Sequence, residues 1–236
     1  MKLSVLIPVY NEVNTLEEAI RRVRNVRLPK EIIVVEDGST DGSRDLLKRL
    51  AADARAADDP LNELKVLFQA QNQGKGAAVR SALSRVTGDI VIVQDADLEY
   101  DPQDYMRLLE PILSGQADVV YGTRFYGGGP HRVLFFWHYL GNQFLTLFSN
   151  VLTNLNLTDM EVGYKVFKTE VLKEIEIKSN RFGFEPEITV KVAKRKWRVY
   201  EVPISYHGRT YAEGKKITWK DGLVTLYALV RFWLKD

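Results

Sequence analysis

Cysteine is absent from all 236 residues. That excludes a disulfide scaffold, a thiolate zinc centre and a cysteine nucleophile. Histidine is nearly as scarce: His131, His138 and His207 are scattered and make no metal-ligand spacing. Chemistry in this chain therefore rests on carboxylates. There is no basic run interleaved with aromatics, so nucleic-acid binding has no footprint. Internal repeats and low-complexity tracts are also missing. The apolar start from Met1 to Val9 is too short for a signal peptide, and Pro8 with Asn11-Glu12 interrupts it. At 45% hydrophobic and 27% charged residues, the composition excludes whole-chain disorder, collagen and coiled coil. These observations predict a cytoplasmic enzyme formed by a single domain over residues 1–236.

Formal charge is missing from one long stretch, the 26 residues from Val133 to Thr158. A stretch of that length can span a bilayer, but its periodicity argues otherwise. On a helical wheel His138, Asn142, Gln143, Thr146, Ser149, Asn150, Thr153 and Asn154 fall on one side. Trp137, Leu140, Phe144, Leu145, Leu147, Phe148, Val151, Leu152 and Leu155 fall on the other, and Tyr139 alone breaks the rule. This is an amphipathic helix. Its apolar side either packs on the sheet or a second subunit, or lies at a membrane interface. Interfacial helices usually carry Lys or Arg on their polar face, and this one has none.

The net charge of +2 conceals an asymmetry. Residues 1–118 hold 15 Lys and Arg against 20 Asp and Glu, and residues 119–236 hold the other 18 against 11. Chance clustering on solvated faces accounts for this as readily as an acidic, metal-holding half facing a basic, phosphate-meeting half.

The first half alternates strand and helix patterns. Apolar runs at Leu3–Val9, Glu31–Val35, Leu64–Phe68, Ile90–Val93 and Val119–Tyr121 predict five strands. Between them, Asn14 with Glu17 reads as a capping box for a helix to about Val26. Asp41 caps a helix to about Ala57, a glycine-rich turn at Gly74-Lys75-Gly76 opens a helix ending near Gly88, and Asp101-Pro102 starts another. Repeated βα units of this length predict a mostly parallel, Rossmann-like sheet with helices on both faces. After a break at Gly127-Gly128-Gly129, the second half adds the amphipathic helix, strands at Val162–Phe167 and Val199–Val202, a helix at Glu187–Lys196 and a final helix from about Thr218 to Leu234. The expected architecture is one α/β domain, with residues 1–126 as its ligand-holding half and 127–236 as an acceptor-side half with a helical C-terminal extension.

Open α/β sheets bind ligands at the carboxyl ends of their strands. Three polar clusters stand there: Tyr10-Asn11-Glu12, Glu36-Asp37-Gly38 and Asp95-Ala96-Asp97-Leu98-Glu99. Each alone is more often a cap or turn than a site, but three on one rim point to a site. Asp95 and Asp97, two residues apart beyond a strand, can hold one hard divalent cation such as magnesium or manganese, with Glu99 as a third oxygen donor. Helix capping does not explain them, because Asp101-Pro102 supplies that cap.

These motifs, with Asn72-Gln73-Gly74-Lys75-Gly76, resemble in order and spacing the family 2 inverting glycosyltransferases over residues 3–126. The resemblance implies the glycosyltransferase A fold and a nucleotide-diphosphate sugar donor bound through Mg2+ or Mn2+. Gly122-Thr123-Arg124-Phe125, Thr158-Asp159-Met160-Glu161-Val162-Gly163-Tyr164 and the spacing of Arg209 and Lys215 further resemble dolichyl-phosphate mannose synthases and bacterial polyprenyl-phosphate glycosyltransferases. By that likeness Pro8, Tyr10 and Glu12 hold base and ribose, and Val35 and Asp37 make further nucleotide contacts. Lys75 and Asp95-Ala96-Asp97 meet the sugar nucleotide and metal, and Arg124, Arg209 and Lys215 surround the phosphates. Two departures stand out: Glu36 replaces a usual aspartate, and Glu99 a usual glutamine.

The expected reaction moves a hexose from a donor of GDP-mannose or UDP-glucose type to a polyprenyl or dolichyl phosphate. Asp97 and Arg124 are its candidate catalytic residues. Asp159 is a third, either as a general base for a hydroxyl acceptor or as a cap. The alternatives are a soluble glycosyltransferase acting on a hydroxyl acceptor in polysaccharide or glycoconjugate synthesis, and a sugar-phosphate nucleotidyltransferase. The last is disfavoured because Tyr10-Asn11-Glu12 stands where its glycine-rich loop belongs. Peripheral contact with the cytoplasmic membrane face, or a membrane partner protein, is the expected association. Homo-oligomerisation stays open.

Overall fold

The computed structural model describes residues 1–57, 59–125, 132–133, 135–210, 213–214 and 219–235. The glycine triplet at 127–129 and Lys215 lie outside the described residues.

The elements alternate through the first half: β1 (Leu3–Val9), α1 (Leu16–Asn25), β2 (Lys30–Glu36), α2 (Ser43–Ala57), β3 (Asn62–Phe68), α3 (Lys75–Leu83), β4 (Ile90–Val93), α4 (Tyr105–Leu113) and β5 (Val119–Thr123). The second half adds α5 (Phe136–Thr153), β6 (Lys165–Lys168), α6 (Thr169–Lys173), α7 (Phe184–Lys194), β7 (Val199–Pro203) and α8 (Trp219–Lys235). Seven strands form one sheet in the order β3-β2-β1-β4-β6-β5-β7, parallel except for β6, which runs against both neighbours. Strand β2 and the four residues of β4 are wholly buried, as is β1 except at Pro8. Continuous β-branched runs are what a parallel strand covered on both faces requires. The chain winds outward from β1 through β2 to β3, then returns to place β4 on the other flank of β1. That reversal opens a crevice at the carboxyl ends of β1 and β4.

Several local expectations give way. The capping box at Asn14 and Glu17 does not form: α1 starts after Thr15, whose hydroxyl donates to Glu12 instead (2.9 Å). Helix α3 stops at Leu83, five residues before Gly88. The strand expected at Val162 begins at Lys165, because residues 157–160 are occupied in docking α5. Helix α7 starts at Phe184, three residues before the expected Glu187. Helix α6 was not foreseen.

The orientation of α5 is the main structural surprise. Its polar side faces inward: Thr146 and Ser149 are its only fully buried residues. Asn150 closes a two-way pair with the backbone of Leu157 (2.8 and 3.1 Å), Gln143 donates to the Thr158 carbonyl (3.4 Å), and Thr146 accepts from the Met160 amide (3.2 Å). An apolar face turned inward would strand these backbone groups, at about 1–3 kcal/mol each. The apolar side consequently points outward, leaving Trp137 77%, Phe144 56%, Leu147 63% and Val151 72% exposed. The last helix, α8, sits beside it. Thr225, Ala228, Leu229 and Phe232 form its buried stripe, while Leu223, Val224, Tyr227, Val230, Trp233 and Leu234 are exposed. No helix among the described residues is long and apolar enough to cross a membrane.

Candidate active site

The crevice opens into a cavity of about 950 Å³, whose floor is polar and whose outer wall is built by α5 and α8. The end of β1 contributes Pro8, Tyr10 and Glu12 to its lining. The loop after β2 contributes Asp37, whose carboxylate accepts from the amides of Gln73 and Gly74 (2.8 and 2.7 Å) and from the Asn72 side chain (2.9 Å). Burial raises the Asp37 pKa against those hydrogen bonds. Gly38, at φ +71°, makes this possible, since a Cβ there would lie 2.5 Å from the Asn72 nitrogen. The expected aspartate position at Glu36 is structural: its carboxylate is buried and pairs with Arg44 (2.7 Å).

At the carboxyl end of β4, the carboxylates sit among cations. Lys75, at the start of α3, bridges Asp95 (2.8 Å) and Glu185 (2.9 Å). Burial pulls the lysine pKa down, but those two carboxylates hold it well above the usual range. Arg209 reaches Asp97 (3.1 Å), Glu99 (3.3 Å) and Glu12 (3.4 Å). Asp97 is raised to about 7, first by burial and then by the negative charges of Asp95 and Glu99. Gly163 is the floor beneath Asp95; a Cβ there would meet the Asp95 Oδ2 at 2.3 Å.

Residues expected at the site separate into four groups. Pro8, Tyr10, Glu12, Asp37, Lys75, Asp95, Ala96, Asp97, Glu99, Arg124 and Arg209 all line the one cavity. Val35 is fully buried in β2 and is not among the described residues of the cavity wall, while Asp37 reaches the cavity from that strand end. Asp159 stands behind Arg124, fully buried, with its two oxygens held by the guanidinium (2.6 and 2.7 Å) and by Asn142 (3.2 Å). Lys215 lies outside the described residues.

The expected metal set is Asp95, Asp97 and Glu99. Among the described residues, no three His, Cys, Asp or Glu side chains gather as a metal cluster. Glu99 is committed elsewhere, accepting from the Arg209 amide (2.9 Å) and the Tyr206 hydroxyl (2.9 Å). Asp95 and Asp97 remain as a pair of hard oxygen donors lining the cavity, with Lys75 and Arg209 beside them. That donor set fits Mg2+ or Mn2+, which bind through one or two carboxylates and substrate phosphates.

Sequence reasoning missed Glu185, Tyr206, Arg181 and the role of Glu161, all of which line the cavity. Glu185 carried a weak signal as an acid in the first turn of α7, but that helix was placed three residues too late. Arg124 is clamped by Asp159 and lies over the Tyr206 ring (5.2 Å), so its guanidinium is fixed at the cavity wall.

Comparison with known proteins bears on this arrangement. The family model described as glycosyl transferase family 2 matches residues 4–176. An undecaprenyl-phosphate mannosyltransferase from Micrococcus luteus is 32% identical over 228 residues, covering 91% of this chain and 87% of that protein. A polyprenol monophosphomannose synthase from Mycolicibacterium smegmatis is 29% identical, covering 89% and 79%. A dolichol-phosphate mannosyltransferase from Pyrococcus furiosus is 29% identical, and this chain spans 59% of its length. Among solved structures, glucosyl-3-phosphoglycerate synthase from Mycobacterium tuberculosis in complex with UDP superposes with a TM-score of 0.74 at 19% identity, covering 100% of this chain and 81% of that one. The same enzyme with Mn2+, UDP-glucose and phosphoglyceric acid gives 0.73 at 18%. At that identity the likeness speaks for the fold.

Proposed function

The chain belongs to glycosyl transferase family 2 and has the glycosyltransferase A architecture; from that premise we propose that this hexosyltransferase moves its sugar from a nucleoside-diphosphate donor to a polyprenyl phosphate, at the cytoplasmic face of a membrane. The observation that carries the reading is the composition of the cavity. Its carboxylate and cation floor lies at the strand ends, and its outer wall, with Trp137, Phe144, Leu145 and Leu223, is continuous with the exposed apolar faces of α5 and α8. A ligand with a charged head and a long apolar tail fits both surfaces at once. The names of the relatives from Micrococcus, Mycolicibacterium and Pyrococcus support the same acceptor class.

In the proposed reaction a phosphate oxygen of the acceptor attacks the anomeric carbon. The bond from that carbon to the diphosphate oxygen breaks on the opposite face, and the nucleoside diphosphate leaves with the electron pair. A phosphomonoester has its second pKa near about 6, so the attacking oxygen is already an anion and no proton has to be removed. What the protein must supply is position and positive charge. Arg124, held rigid by Asp159, would hold the acceptor phosphate. Arg209 and Lys75 would face the departing diphosphate, and Pro8, Tyr10, Glu12 and Asp37 would hold the nucleoside. A divalent ion on Asp95 and Asp97 would add positive charge at the leaving group. The hydroxyl-acceptor alternative needs a general base. Asp159 is poorly suited to that, being fully buried with both oxygens bonded to Arg124.

The test is transfer of labelled hexose from UDP-glucose and GDP-mannose, with Mn2+, to a short polyprenyl phosphate and to the matching polyprenol. Product on the phosphate alone supports the reading. Product on the polyprenol, or none from either donor, refutes it.

A further inference from the structure

Beyond Lys75, the cavity wall contains two carboxylates that the reaction above leaves unused. Glu185, in the first turn of α7, is 5% exposed and gives one oxygen to Lys75 (2.9 Å). Its other oxygen, Oε2, is buried without a hydrogen-bond partner among the described residues. Glu161, in the turn between Asp159 and β6, bonds Thr225 of α8, while its Oε1 is likewise buried and unpartnered. Both residues line the cavity. The negative charge of Glu185 adds to burial in raising the Glu161 pKa to about 7.

Two orphaned acceptors in one wall are expensive to retain, and native proteins rarely keep them without a reason. For the ionised carboxylates the missing partner is a hydrogen-bond donor. A diphosphate or phosphate brings only acceptors and negative charge to this wall, and a polyprenyl chain brings neither donor nor acceptor. An uncharged group dense in hydroxyls meets the requirement, because carboxylate oxygens accept from neighbouring O–H groups. Lys75 joins Glu185 to Asp95, so such a group would sit next to the phosphates.

We propose that Glu161 and Glu185 form the hydroxyl-accepting subsite for the transferred hexose, with Glu161 as the residue that discriminates among hexoses. The assignment rests on the donor reading above and names which side chains read the sugar. A site built to bond a hydroxyl rejects analogues lacking it, since its buried oxygens are then left unpaired.

The experiment measures binding of UDP, GDP, UDP-glucose and GDP-mannose, with Mn2+, to the wild-type chain and to Glu161→Gln, Glu161→Ala and Glu185→Gln, with melting temperatures recorded alongside. The preferred sugar nucleotide is expected to bind wild type tighter than its nucleoside diphosphate. In the two Glu161 variants that margin should fall by tenfold or more, while affinity for the nucleoside diphosphate stays within about twofold; Glu185→Gln should lower the margin too, with a change in nucleoside-diphosphate affinity of its own because Glu185 pairs with Lys75. Glu161→Gln should also discriminate less between GDP-mannose and GDP-glucose, added as a pair that shares its base. A parallel loss for nucleotide and sugar nucleotide, or no loss in either Glu161 variant, overturns the assignment. A wild-type chain that binds none of the four overturns the donor reading and the subsite together. One that binds nucleotide with a margin indifferent to Glu161 overturns only the subsite.

Discussion

If the outward face of α5 meets a lipid surface, replacing its apolar side chains should leave the fold intact and release the protein from membranes. Leu147 and Val151 are 63% and 72% exposed, so roughly a third of each side chain is packed against protein. Full burial of such a side chain is worth about 1.5–3 kcal/mol. The double change Leu147→Gln, Val151→Gln should therefore cost the folded state about 1–2 kcal/mol, a drop in melting temperature of only some 2–8 °C for a chain of this size. The exposed two-thirds would be what a bilayer covers, about 1–2 kcal/mol per residue. Losing both should weaken partitioning by about 100-fold, using 1.4 kcal/mol per factor of ten. Co-sedimentation with anionic vesicles reads this directly. Leu113→Gln is the control, since Leu113 is also exposed (50%) but lies on α4. A melting temperature lower by 15 °C or more would show that the face packs against protein. Unchanged vesicle binding would separate it from the membrane, and a mass that falls with dilution in wild type but not in the double variant would assign it to a second copy of the chain.

Three further perturbations address the interior. Asp159→Asn should lower kcat/KM for the acceptor phosphate by about 100-fold or more, with the shape of the pH–rate profile unchanged, because its carboxylate fixes Arg124; loss of the acidic limb would instead make it a base. Gly163→Ala should displace Asp95, whose Oδ2 would lie 2.3 Å from the new Cβ, and weaken Mn2+-dependent donor binding more than tenfold, with a lower melting temperature as well because the buried Tyr100 ring would lie 2.8 Å away; unchanged donor binding would remove Asp95 from the site. Glu31 is fully buried, and although burial opposes its ionisation, Lys65 (2.6 Å), Ser4 and Thr87 hold its pKa well below the usual carboxylate range. A depressed folded value stabilises above the unfolded pKa of about 4.3 and is lost as pH falls below it. Glu31→Gln should then cost about 3 kcal/mol in urea unfolding at pH 7 and markedly less at pH 3; an equal cost at both would refute the electrostatic account.

The rim of the site was legible because parallel strands place their carboxyl ends together, so that short polar clusters after apolar runs must converge. Asp37, Asp95 and Asp97 needed no tertiary knowledge beyond that rule. Glu161 and Glu185 had no such rule behind them. Each is a single acid, 24 residues apart in sequence, and only the tertiary packing that seats α7 against α5 and α8 makes them neighbours. Periodicity likewise revealed that α5 has two faces but carried no information on which one turns inward. That depends on residues 157–160, whose backbone amides and carbonyls require polar partners, and satisfying them outweighed burying leucines. The consequence reaches the chemistry. Asn142 on the inward side bonds Asp159 (3.2 Å) and approaches Arg124 (3.4 Å), while Phe144, two residues later, stands 56% exposed at the cavity mouth. On the proposed reading, one helix would meet the acceptor's two requirements on opposite faces, a braced cation for its phosphate and an apolar surface for its tail. Seating the tail on α5 would bring the phosphate to Arg124 without any further moving part.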